Sequence, residues 1–230
     1  MKVAIHQPYY LPWPGFFHKL DQADQFVFLD TAIHSKSGFF NRNKIKTPNG
    51  EKWLTVPLKT KEKPLNEMMI DNSQNWRNTH WKMIEANYKK SQYWSYYKDG
   101  FEQIYRKAWE TLVPFNVAII MHIVNILEIK TTIESESSFK KDFGHGNSRN
   151  INIVKHLGGK IYLSGTGARV YNDEEEFKNQ GIQLIYQEFK HPVYPQRWGT
   201  FLPNLSIIDM IFNYGPETMK LIREQTVDSP

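Results

Sequence analysis

His6, Gln7 and Tyr9 open a ten-residue run, His6-Gln7-Pro8-Tyr9-Tyr10-Leu11-Pro12-Trp13-Pro14-Gly15, that puts an imidazole beside an amide and a phenol. A neutral imidazole exchanges protons near physiological pH, so His6 is a candidate general acid or base, or a donor to a phosphate. Three prolines leave the backbone of this run few paths. Rigidity of that kind serves to position a ligand. A histidine hydrogen-bonded at a buried strand end is the other reading of His6 alone.

Asp30 is the second catalytic candidate, an acid closing the apolar run Phe26-Val27-Phe28-Leu29. A carboxylate at a strand's carboxyl end can hold a sugar hydroxyl, an amine or magnesium. Further on, Arg42, Asn43 and Lys44 sit in Asn41-Arg42-Asn43-Lys44-Ile45-Lys46. On an extended chain Arg42 and Lys44 point the same way, able to grip a diphosphate by a fork and a point charge. A solvated charged face has the same pattern.

Ser164, Gly165 and Thr166 begin Ser164-Gly165-Thr166-Gly167-Ala168, a run that offers hydroxyls and bare backbone N–H groups as a phosphate or carboxylate cradle. It has neither the Gly-Lys-Ser/Thr ending of a P-loop nor a dinucleotide fingerprint, and a tight turn needing two glycines explains it as well. Tyr194, Gln196 and Arg197 complete the expected ligand contacts. Ser206 or Asn204 reads as the cap of a last helix, Ser206 being favoured, and in that helix Asp209 stands among Ile207, Ile208, Met210 and Ile211 and needs a partner. The remaining histidines fall into no metal-ligand spacing, so no metal site is expected.

These residues require a frame. Residues 2–5 read as a strand, Phe16, Phe17, Leu20 and Ala23 recur at helical spacing, and residues 26–29 read as a second strand. Strand, loop, helix, strand within thirty residues starts an open, mostly parallel α/β sheet flanked by helices, with the His6 loop at its carboxyl edge. Residues 37–58 are polar and β-like, with a turn at Pro48-Asn49-Gly50 and a strand over 53–58; residues 65–71 suggest another. A helical lobe spans about 76–128, broken at Pro114. Strands over 131–133, 161–163 and 181–186, a helix over 150–157 capped by Gly158-Gly159, and a mobile loop over 142–150 follow. No linker forces a boundary, so residues 1–230 are expected to form one domain.

Composition narrows the partners. Net charge is +5, with Lys44, Lys46, Lys52, Lys59, Lys61 and Lys63 crowded together, but acids are interspersed elsewhere and no nucleic-acid-binding motif occurs. A phosphorylated small molecule needs only a few cations. The absence of cysteine removes disulfides and thiolate chemistry. The apolar run 117–127 is too short to cross a bilayer, and the N-terminal run lacks a signal peptide's long apolar region. A cytoplasmic location without membrane insertion is expected.

The opening Ala4-Ile5-His6-Gln7-Pro8-Tyr9-Tyr10-Leu11-Pro12-Trp13-Pro14-Gly15 resembles the start of the WbqC-like protein family. Further likenesses are Phe28-Leu29-Asp30, Asn41-Arg42-Asn43-Lys44-Ile45, Trp53-Leu54-Thr55-Val56-Pro57, Tyr162-Leu163-Ser164-Gly165, Tyr194 with Gln196, and Leu205-Ser206-Ile207-Ile208-Asp209. They run in order from Val3 to about Gly215. The resemblance implies a role in bacterial surface-polysaccharide (O-antigen) biosynthesis, with attachment of an amino acid such as glycine to a sugar. A weaker likeness, to nucleotidyl transferases that form amides through an adenylate, rests on the His6 loop alone; the second His and the later Lys of that pattern are missing.

The expected activity is transfer of an aminoacyl or other acyl group to the amine of a nucleotide-linked amino sugar. The donor would be activated by ATP or carried on acyl-CoA or acyl carrier protein. His6 or Asp30 would take the proton. Arg42, Lys44 and the Ser164 turn would hold phosphates, while Gln7, Tyr9, Gln196 and Arg197 would hold donor or sugar. A homodimer is compatible with this reading, and the alternative is a non-catalytic nucleotide-sugar-binding protein of a glycan assembly. All of it requires the His6 loop, the Arg42–Lys44 segment and the Ser164 turn to meet at one pocket.

Overall fold

The computed structural model describes residues 1–33, 38–59 and 63–225, so Lys61 and the first residue of the 37–58 stretch lie outside the described residues. Strand β1 (Lys2–His6) feeds the proline-rich loop, and helix α1 (Pro14–Asp21) leads into β2 (Gln25–Phe28). Pro14 opens α1, where a missing N–H costs no helical hydrogen bond. Gly15 is required by packing: Trp13 folds over the first turn, and a Cβ at Gly15 would lie 2.3 Å from its ring. β3 (Arg42–Thr47) and β4 (Gly50–Thr55) form a separate antiparallel hairpin whose turn uses Gly50 at φ +93°.

Helices α2 (Trp76–Tyr88), α3 (Trp94–Arg106) and α4 (Leu112–Ile126) then build the expected helical lobe. After it come β5 (Thr132–Ser135), α5 (Gly146–His156), β6 (Ile161–Ser164), α6 (Glu174–Asn179), β7 (Gln183–Tyr186), α7 (Ile207–Tyr214) and α8 (Thr218–Arg223).

Five strands form one sheet in the order β5-β2-β1-β6-β7, every neighbouring pair parallel. The fold is the expected α/β class. Side chains alternate across it. Ala4, Phe26, Phe28 and Leu163 face a core shared with α1 and the helical lobe, through Phe16, Phe115 and Ile119. Val3, Ile5, Val27 and Tyr162 face α5 and α6 through Ile151, Val154 and Phe177. Burial on both faces accounts for the nearly continuous apolar strands.

Several local expectations change. Residues 65–71 are not a strand: Leu65–Glu67 is a 3-10 turn, and only single bridges, Leu58 with Ile70 and Met69 with Thr111, remain β-like. Pro114 does not break the lobe, because it occupies the first turn of α4, where a backbone N–H would have no helical partner and its absence costs nothing. The break falls between α3 and α4 instead. The stretch 142–150 is helical from Gly146 onward, and β4 ends at Thr55, short of Pro57. Gly158 at φ +73° does end α5, with the Gly158 and Gly159 N–H groups bonded to Lys155 O and Val154 O.

Candidate functional site

From β1 the chain moves to β2 on one side, whereas β6 pairs with β1 on the other. The winding therefore reverses between β1 and β6, and a crevice opens beyond their carboxyl ends, where open α/β sheets bind ligands. A cavity of about 740 Å³ lies there. His6, Gln7, Tyr9, Trp13 and Lys19 line it from one side, and Ser164, Gly165, Thr166, Gly167, Ala168, Tyr171 and Asn172 from the other.

The His6 loop is clamped from several elements. Asn116 of α4 donates to Pro8 O (2.8 Å) and Phe40 O (2.7 Å), and Asn43 of β3 donates to Leu11 O (2.6 Å). Ile207 N donates to Pro12 O at 2.9 Å. The Tyr10 hydroxyl is held by His80 and Tyr105. Leu11 takes φ +44°, a costly conformation for a leucine, which these contacts over-determine.

Within that frame His6 has a defined tautomer. Its Nδ1 lies 2.8 Å from Gln7 O, which only accepts, so Nδ1 carries the hydrogen and Nε2 keeps its lone pair. Burial, and secondarily the nearby Lys19 charge, push its pKa down to about 3. Tyr9 and Phe16 pack edge-on against the ring at 4.5 and 5.0 Å. His6 is thus a neutral hydrogen-bond acceptor.

Lys19 was not among the expected site residues. It is 3% exposed, its Nζ donates to Ile5 O at 2.9 Å, and the Phe26 ring lies 6.0 Å away. Among the described residues no carboxylate pairs with it, and burial pushes its ammonium down to about 7. The signal was present in the sequence: Phe16, Lys19, Leu20 and Ala23 share one face of a short helix. A lysine at that spacing is buried with its apolar neighbours.

The turn after β6 makes the opposite wall. Ser164 Oγ accepts from Asn172 Nδ2 at 3.0 Å. Ala168 and Arg169 N–H bond back to Gly165 O and Thr166 O (3.0 and 3.1 Å), leaving the N–H groups ahead of them available. Neither Gly165 nor Gly167 adopts positive φ, and a Cβ added to either would meet no protein atom within 4 Å. The turn therefore needs glycine for neither conformation nor packing. What a Cβ would occupy is open space at a wall of the cavity.

The other expected site residues lie elsewhere. The Asp30 carboxylate accepts from Ser137 N at 3.0 Å and from Ser137 Oγ, at the start of the turn after β5. Beside it Arg149 forks onto Glu136 and reaches Thr31. Tyr194 and Gln196 belong to a buried network. Asp209 accepts from the Tyr88 and Tyr194 hydroxyls, both at 2.9 Å, while Gln196 bonds Tyr194, Leu202 and Lys46. Desolvation raises Asp209 to about 6 against these hydrogen bonds. This supplies the partner that Asp209 required. The Arg197 guanidinium lies 4.4 Å from the Trp198 ring centroid.

Arg42 and Lys44 do share one side of β3, and there they flank Trp53 at 4.8 and 4.9 Å, with Lys44 also bonded to Glu51. They do not line the larger cavity. Asn43 and Phe39 instead help line a second cavity of about 430 Å³ that shares Tyr9 and Trp13 with the first. Of the three stretches expected to meet, the His6 loop and the Ser164 turn face each other; the Arg42–Lys44 hairpin borders the neighbouring space.

Among the described residues, no helix is long and apolar enough to cross a membrane. Residues 7–221 match the profile of the WbqC-like protein family. The chain is also 32% identical over 227 residues to the "Uncharacterized protein Rv1507c" of Mycobacterium tuberculosis (strain ATCC 25618 / H37Rv), covering 96% of this chain and 97% of that one. No solved structure matches it. A profile match over nearly all of the chain and a relative aligned along its length place this protein in the WbqC-like protein family.

Proposed function

We propose that this protein is an enzyme of bacterial surface-glycan synthesis that transfers an aminoacyl or other acyl group to the amine of a nucleotide-linked amino sugar. The observation that carries the reading is the pair of glycines at the cavity wall, whose missing side chains serve no need of the fold. A phosphate lying against Gly165 and Gly167, rather than against Arg42 and Lys44, which do not line this cavity, explains why the two glycines are bare. Family membership supports the glycan context.

Across the cavity, the lone pair on His6 Nε2 accepts an N–H of the acceptor amine and so orients its nitrogen toward the acyl carbon. Asp30 is left out of this chemistry, because Ser137 already occupies its carboxylate. The neutral amine attacks the acyl carbon; the amide C–N bond forms as the acyl C–O bond to AMP or the C–S bond of a thioester breaks, and the proton the nitrogen loses passes through His6 Nε2 to the departing group or to solvent.

Mass spectrometry tests the proposal. Purified protein is incubated with a panel of nucleotide-linked amino sugars and either glycine with ATP or an acyl-CoA. The expected result is an acylated sugar from one donor, lost in Gly165→Ala and Gly167→Ala variants that melt like the parent. No product from any pairing, or full activity in both variants, refutes it.

A further inference from the structure

Among the described residues lining the larger cavity, Lys19 is the lone Lys or Arg and there is no Asp or Glu. The titratable groups around it are His6, Tyr9, Tyr162 and Tyr171. His6 is held neutral, and burial raises Tyr9 and Tyr162 above their ordinary range. On its own helix, Asp21 is engaged by Arg223 at 2.7 Å. When charged, Lys19 is thus an ammonium with three donors at 3% exposure and one carbonyl as its hydrogen-bond acceptor. An isolated buried charge is costly and is tolerated where something offsets it. Among the described residues, none supplies a counter-charge.

We propose that Lys19 is the counter-charge for a phosphoryl group of the bound ligand, held between its ammonium and the bare wall at residues 165–167. This rests on the reading of the cavity as a nucleotide-sugar site and adds a property to it. In the free protein near pH 8 the amine is mostly neutral, because burial has lowered its affinity for protons. An anion beside it favours the charged form. Binding therefore draws a proton from solvent: Lys–NH2 takes up H+ to become Lys–NH3+ as the phosphoryl group arrives.

Calorimetry of UDP binding in two buffers of different ionisation enthalpy measures that proton directly. At about pH 8 the expected uptake is roughly 0.9 proton per UDP, since an amine with a pKa of about 7 starts about one-tenth protonated. Lys19→Arg, charged before and after, is expected to bind UDP with no uptake. Lys19→Met is expected to bind at least about tenfold more weakly. Absence of UDP binding by the wild type, binding without uptake, or uptake unchanged in Lys19→Arg overturns the proposal; should Lys19→Met fail to fold, the wild type and Lys19→Arg decide it. Acyl transfer is read separately. Uptake without any product would remove the transfer reading and leave Lys19's role standing, and product without uptake would do the reverse.

Discussion

Replacing Lys19 with methionine is expected to stabilise the free protein, and to do so by an amount that shrinks as pH rises. Lys19 is lowered from 10.5 in an unfolded chain to about 7 in the fold. That displacement is worth roughly 5 kcal/mol between the two protonation states. The sign follows from proton counting: between about pH 7 and pH 10.5 the unfolded chain binds the proton and the native chain does not, so wild-type stability rises with pH across that window. Near pH 7 most of the penalty remains, roughly 4 kcal/mol; near pH 9.5 roughly 1 kcal/mol is left. Methionine carries no such penalty. It does lose the bond to Ile5 O, at a pH-independent cost of about 1–3 kcal/mol.

Lys19→Met should therefore exceed the wild type by about 1–3 kcal/mol near pH 7, with an advantage smaller by roughly 3 kcal/mol near pH 9.5. Urea titrations of both proteins at the two pH values, checked for equal slopes, give the four free energies needed. The pH-dependent difference is the decisive quantity, since the lost hydrogen bond cancels from it. A gap between the proteins that stays constant to within about 0.5 kcal/mol across the two pH values would refute the burial argument.

Asp30→Ala removes the acceptor for Ser137 N–H and Oγ–H, and is expected to cost about 2–3 kcal/mol in a urea titration while UDP affinity stays within about twofold. A tenfold affinity loss in the folded variant would restore Asp30 to the ligand site. Asn116→Ala strands the Pro8 and Phe40 carbonyls, so a loss of about 2–4 kcal/mol is expected, together with faster amide exchange across residues 7–13. Unchanged exchange would mean that the loop does not depend on this clamp. Asp209 is raised from 3.8 to about 6, so the native state binds the proton first and its contribution to stability falls as pH rises between those values, by roughly 3 kcal/mol. In Asp209→Asn that fall should be absent from the pH–stability profile, and an identical profile would show the carboxyl is not desolvated.

Much of the frame was legible because it depends on local pattern. The runs at 2–5 and 26–29 can be buried on both faces only as inner strands, and Phe16, Phe17, Leu20 and Ala23 define the helix between them. Gly158-Gly159 is a stop signal that works by backbone geometry alone. Pro114 misled because a proline breaks a helix interior but suits its first turn, and the sequence around it does not say which applies. Residues 65–71 look β-like in type, yet their backbone bonds are divided between local turns, Glu67 N to Pro64 O and Met68 N to Leu65 O, and scattered partners at Asp30, Ala32, Pro57 and Glu110, so no ladder forms.

Residue types were enough to nominate His6, Gln7, Tyr9 and the Ser164 turn, because stiff or bare backbone is written directly in prolines and glycines. Which nominees share a cavity was decided by strand order: β6 returning beside β1 brings residues 164–168 opposite His6, and nothing local encodes that pairing. The same long-range packing gives other nominees partners within the protein: Asp30 bonds Ser137, Tyr194 and Gln196 join the Asp209 network, and Arg42 and Lys44 flank Trp53. It also placed Lys19 at the wall of the cavity. Sequence assigns a side chain its chemistry; whether that chemistry is spent inside the fold or left for a ligand depends on which distant atoms arrive beside it.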